Sequence, residues 1–158
     1  MGRTKWDKSL IELFNPSASY FHCEEALRDS FNTSEKRWKY SDEKRKTIIS
    51  VISRPWYKGC DLILKTAALL KRFTDIDFEW KVYGIPEMKF FESVYGIRAK
   101  DVNVRPMGTA TKEELIEALC AASCYVHTSY IDNSPNSICE AQILGVPVIA
   151  TNVGGISS

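Results

Sequence analysis

From Thr47 onward, short apolar runs alternate with amphipathic segments, and Gly, Pro or Ser punctuates each change of period. Parallel strands need a long crossover between them, usually a helix. The alternation therefore predicts an α/β chain: a Rossmann-like, doubly wound parallel sheet covered by helices. Strands are expected at residues 47–53, 78–84, 102–107, 124–130 and 146–151, with helices at about 59–73 and 87–95 between the first three. A third helix opens at Thr111, where Glu114 completes a capping box that satisfies two orphan backbone donors. A fourth is expected to start at Ser134 as N-cap with Pro135 as its first residue, and to end at Gly145, just before Pro147.

Residues 1–46 read differently, as an interdomain connector or linker region ahead of the α/β unit at 47–158. They are polar, with at most one short amphipathic helix around residues 23–31, and they end in the mixed-charge run EKRWKYSDEKRK. Interleaved Glu35, Asp42 and Glu43 make that run a solvated face rather than a polyanion site.

Charge and cysteine usage exclude several classes. Across 158 residues, 21 Lys+Arg oppose 20 Asp+Glu for a net charge of +1, which argues against a nucleic-acid partner. The apolar runs fall far short of the ~20 residues a membrane span requires, and no signal peptide opens the chain. A soluble, cytoplasmic protein is expected, with peripheral membrane attachment of the intact protein left open. Five cysteines in such a chain read as reduced thiols. Cys120, Cys124 and His127 are close in sequence, yet strand alternation turns Cys124 and His127 to opposite faces, so no metal site is expected.

In a sheet of the order 3-2-1-4-5 the first and fourth strands are neighbours, their connections leave in opposite directions, and ligands bind between their carboxyl ends. Two loops are thereby brought together: SRPWYKG (53–59) and IDNSPN (131–136). The first offers Arg54 and Lys58 beside a helix N-terminus, an arrangement able to hold a phosphate or diphosphate. Taken alone, the pair reads slightly better as surface cations near Trp56 and Tyr57. No GxxxxGK[ST] or GxGxxG is present, against a P-loop or nicotinamide-cofactor reading.

The second loop offers Asp132, then Asn136 and Ser137 in the first turn of the fourth helix. Glu140, in the apolar company of Ile138, Cys139, Ala141 and Ile143, follows one turn on. A buried carboxylate needs hydrogen-bond donors, and sugar hydroxyls are one supply. An exposed helix-face glutamate is the other reading. Asp75-Ile76-Asp77 precedes the second strand, so it falls at the opposite edge of the sheet and reads as a turn.

The stretch DNSPNSICEAQILGVPVIATNVGG resembles the donor-binding segment of family-4 retaining glycosyltransferases of the GT-B fold. The match lies at Glu140–Ala141, Gly145, Pro147 to Ala150 and Gly154–Gly155. Ahead of it, SVISRPWYKGCDLILKTAALL is similar to that family's first strand and helix, with Gly84, Gly108 and Ser129 at further positions. The resemblance implies a donor domain that binds a nucleotide-diphosphate sugar and transfers a hexosyl group with retention. Arg54 and Lys58 would neutralise the diphosphate, Asp132 would hold the transferred sugar and Glu140 the ribose, with Gly84, Met107 and Gly108 bordering the nucleoside and Asn136 and Ser137 completing the site.

This sequence departs from the pattern in three places: Asp132 stands for a Glu, Ser134–Pro135 for Phe-Gly, and Arg54 and Lys58 are one residue closer together. The resemblance further implies no metal or cofactor and a glycan or lipid-linked acceptor held by a second, N-terminal domain. Nucleotide binding without sugar transfer is then expected of these 158 residues alone. The alternatives are a non-catalytic nucleotide-binding module, or a sugar-nucleotide epimerase or phosphorylase on the same scaffold.

Overall fold

The computed structural model describes residues 2–24 and 26–157. Five parallel strands, β1 (Lys46–Val51), β2 (Phe78–Tyr83), β3 (Val104–Gly108), β4 (Cys124–His127) and β5 (Val148–Ala150), form one sheet in the order β3-β2-β1-β4-β5. That is the 3-2-1-4-5 order expected, with β1 central: Ile48 lies opposite Trp80 on β2 and Cys124 on β4.

Both faces are covered. On one, α3 (Cys60–Phe73) and α4 (Lys89–Tyr95) enclose Ile63, Leu64, Ala67, Phe78, Trp80 and Phe91. On the other, α5 (Lys112–Cys120) and α6 (Asn136–Ile143) enclose Ile49, Leu119, Tyr125, Ala141 and Leu144. Inside the sheet the Ser50 hydroxyl donates to the Val126 carbonyl at 2.6 Å and accepts from Trp80 Nε1 at 3.0 Å, so these two buried side chains are satisfied.

Local chemistry sets the element ends. Thr111 and Glu114 close the capping box on α5. Gly145, at φ +85°, ends α6 with its N–H on the Gln142 carbonyl and the Val146 N–H on that of Ala141, a Schellman closure. Two boundaries differ from expectation. The strand expected from 102 begins at Val104, because Ala99–Val102 forms a 3-10 turn and Asn103 follows in the left-handed conformation. Ser134 does not cap α6: Pro135 is still extended, at ψ 114°, and takes the N-cap position with no side-chain bond to the helix.

The N-terminal stretch differs most. Helix α1 (Lys5–Phe14) was not expected, although Thr4 and Asp7 form a reciprocal capping box on it. The helix expected around 23–31 is replaced by bridge and coil, and only α2 (Asp29–Asn32) is helical; Glu25 lies outside the described residues. Residues of the expected connector are built into the layer: Phe31 is fully buried between α5 and α6, and Trp38 Nε1 donates to the Ala122 carbonyl at 2.6 Å. The charged run is dispersed in local contacts, among them Lys36 with Glu117 and Arg45 with Asp77. Among the described residues, no helix is long and apolar enough to cross a membrane.

Candidate functional site

The two loops meet at the carboxyl ends of β1 and β4. Gly59 makes the approach possible: at φ +74°, a Cβ built on it would lie 2.0 Å from the Thr128 carbonyl oxygen. The Thr128 hydroxyl donates to the Lys58 carbonyl at 2.8 Å and the Tyr130 N–H to that of Tyr57 at 2.8 Å, which stitches one loop to the other. Only a residue without a side chain fits this contact, and Lys58 of the first loop is thereby set beside Asp132 of the second.

Asp132 is the hub. Its Oδ2 accepts from Lys58 Nζ, from His127 Nε2 at 2.9 Å and from Ser129 Oγ at 3.1 Å. Burial pushes the Asp132 pKa up, but the bonds from His127, Lys58 and Ser129 and the Lys58 charge outweigh it and hold the carboxyl well below the usual range. His127, itself buried, reaches the Tyr125 hydroxyl through Nδ1 at 3.2 Å. Burial drives the Tyr125 pKa upward. The Gly-Gly turn then closes on the loop from outside: the Gly155 N–H donates to the Asp132 carbonyl, and a Cβ on Gly154 would lie 2.0 Å from that oxygen.

Glu140 is buried on α6 and is not open to solvent. Both its oxygens are held by one guanidinium: Arg28 Nε on Oε1 at 2.6 Å and Nη2 on Oε2 at 2.7 Å. The Glu140 bond raises the Arg28 pKa against the lowering effect of burial. Arg28 also lies over the Phe31 ring, 4.6 Å from its centroid.

The other candidate site residues lie at the same carboxyl ends of the strands. Arg54 is exposed in the loop that follows β1. Gly84 approaches the end of β1 so closely that a Cβ would meet the Ile52 carbonyl at 2.2 Å. Its N–H donates to Gly108, whose own N–H donates to Ile85, so the ends of β2 and β3 are tied together with half-buried Met107 alongside. Asn136 and Ser137 begin α6. Asp75 and Asp77 lie at the opposite edge, where the Asp77 carbonyl accepts from the Lys46 N–H.

Sequence reasoning did not find Arg28, His127 as a partner of Asp132, or the N-terminal contacts to the second loop. Asn133 Nδ2 donates to both Asp7 oxygens, at 2.9 and 2.8 Å, and the Thr4 hydroxyl donates to Asn133 Oδ1 at 2.6 Å. The one available signal was that a carboxylate in apolar company must have a partner; it did not say which cation, 112 residues away, would provide it.

The family described as "Glycosyl transferases group 1" matches residues 32–158. A D-inositol 3-phosphate glycosyltransferase of Pseudarthrobacter chlorophenolicus is 34% identical over 105 residues, which are 63% of this chain and 25% of that protein. Among solved structures, WaaG, a glycosyltransferase involved in lipopolysaccharide biosynthesis, superposes with a TM-score of 0.77 at 17% identity, covering 99% of this chain and 45% of its own. A glycosyltransferase from Rickettsia africae gives 0.70 at 18% identity, covering 98% and 45%. The chain spans about a quarter of the curated relative and less than half of either solved chain.

Proposed function

This chain belongs to the group 1 glycosyl transferases, and from that premise we propose that it is a donor-binding domain of the family-4, retaining kind, whose ligand is a nucleotide-diphosphate sugar. The observation that supports this most is the meeting of two loops at the β1–β4 switch point, where Lys58 of one pairs with Asp132 of the other.

In this reading Arg54 and Lys58 take the diphosphate. An ammonium has three donors, so Lys58 can keep Asp132 and still reach a phosphate oxygen. The first turn of α6, at Asn136 and Ser137, carries no side-chain cap, which leaves backbone N–H groups for an anion. Glu140 takes the ribose hydroxyls, and the Gly84 and Met107–Gly108 rim borders the base. Asp132 faces the transferred hexosyl group.

Breaking the sugar–phosphate bond builds negative charge on the departing diphosphate and positive character on the sugar. Cations at the first and a carboxylate at the second favour the transition state over the bound donor. With two side-chain cations for that charge, transfer is proposed to need no metal or other cofactor.

Residues 47–158 are the proposed nucleotide-sugar unit and 1–46 its connecting region. A glycan or lipid-linked acceptor is proposed to be held by a second domain of the whole enzyme, at the cytoplasmic side of a membrane when the acceptor is a lipid. These 158 residues are then expected to bind nucleotide without transferring sugar. Amide NMR titration with UDP, GDP and ADP tests the reading. Shifts centred on Arg54, Lys58, Asp132 and the start of α6 support it; shifts confined elsewhere, or none, overturn it.

A further inference from the structure

We propose that Arg28 is a specificity-determining residue of this site, a guanidinium that occupies the Glu140 carboxylate until a vicinal diol takes its place. The inference rests on the donor-site reading above and adds a residue to it.

Three observations carry it. First, the Glu140 side chain is only 3% exposed and both its oxygens are engaged by Nε and Nη2 of Arg28, so in this conformation no sugar hydroxyl can reach it. Second, the Arg28 side chain is 42% exposed. Leaving Glu140 therefore returns the guanidinium to water rather than stranding it in the interior, so the cost of the exchange falls on the buried carboxylate alone. Third, the segment that carries Arg28 is fixed independently of the pair. Phe31 is fully buried three residues on, so the side chain can swing while its backbone stays in place.

The chemistry of the exchange sets the specificity. A bare buried carboxylate is strongly unfavourable, so Arg28 leaves only as other donors arrive. Two parallel N–H groups are replaced well by two neighbouring hydroxyls and poorly by one. The 2′- and 3′-hydroxyls of a ribose meet this requirement; a nucleotide lacking them does not. Arg28 thus converts a general anion crevice into one that demands a ribonucleotide.

The test uses this chain with UDP, GDP and ADP, each beside its 2′,3′-dideoxy form, observed through the arginine Nε–H resonances. Arg28 is assigned by the loss of its signal in Arg28→Lys. The expected result is that the ribonucleotide moves the Arg28 signal to the position of a free arginine, and that the dideoxy form binds at least tenfold more weakly and leaves the signal in place. In Arg28→Met the same ribonucleotide should bind three- to tenfold more tightly, because nothing has to be displaced. Ribonucleotide binding with the Arg28 signal unmoved overturns the proposal, as does weaker binding by a folded Arg28→Met. Should Arg28→Met not fold, the wild-type resonance decides alone. Absence of binding in both wild type and variant overturns the donor-site reading and this inference with it, a result distinct from binding without displacement.

Discussion

His127 Nε2 lies 2.9 Å from Asp132 Oδ2, the same oxygen that Lys58 holds, so an imidazole from β4 and an ammonium from the β1 loop share one carboxylate oxygen. The pairing explains why Asp132 stays ionised although most of its surface is covered. It also ties the second loop to the strand that precedes it.

Acid sensitivity follows directly. The Asp132 pKa is lower folded than its unfolded reference of 3.8. Between the two values the unfolded chain binds more protons, so stability rises with pH there. The contribution is complete above the unfolded value and is lost as pH falls below 3.8 toward the folded one. Denaturant midpoints from pH 6 down to pH 3 should decline less steeply in Asp132→Asn than in wild type.

Lys58 and Asp132 are expected to be energetically coupled. Both side chains are 14% exposed, so the pair is screened less than a surface one. A double-mutant cycle with Lys58→Met and Asp132→Asn should give an interaction of about 1–3 kcal/mol, read from urea unfolding. Additive single effects would show that the contact contributes nothing.

Gly59 should tolerate no side chain. Gly59→Ala combines a left-handed φ with a Cβ set against the Thr128 carbonyl, and a loss of about 2–4 kcal/mol is expected. Nucleotide affinity should fall with it, because the two loops separate. A variant of unchanged stability would remove Gly59 from its structural role.

Phe31 tests whether the N-terminal segment belongs to the fold. Phe31→Ala opens a cavity against α5 and α6 and should cost about 3–5 kcal/mol. A free linker would lose almost nothing on the same substitution.

What the sequence revealed and what it hid divide along sequence separation. The strand–helix alternation, the Thr111–Glu114 box and the Gly145 closure depend on residues a few positions apart or on the period of a strand, and each was legible; the sheet order was not encoded locally and matched because it is the common doubly wound arrangement. Helix α1 carried a legible cap in Thr4 and Asp7 and apolar residues at helical spacing in Trp6, Leu10 and Leu13, a signal that sequence reasoning passed over; none of its residues is buried. At Ser134 the preference of its residue type for the cap position was overridden by the extended backbone of Pro135. The cations and carboxylates of the site were legible as types, and their loops as neighbours. Which cation meets which carboxylate was not. Arg28 takes Glu140 and Lys58 takes Asp132 through tertiary packing that no local pattern encodes.

The central position of β1 has a consequence for the order of assembly. Strands β1, β2 and β3 follow one another in the chain and can pair as soon as residues 46–108 are present. The opposite wall waits for β4, whose Val126 carbonyl takes the Ser50 hydroxyl from 76 residues earlier. Contacts of such long range form late, because loop closure must precede their reward. A partly folded chain could thus show most of its sheet and still lack any grip on a nucleotide, so ligand capture reports completion of the topology more faithfully than secondary-structure content does.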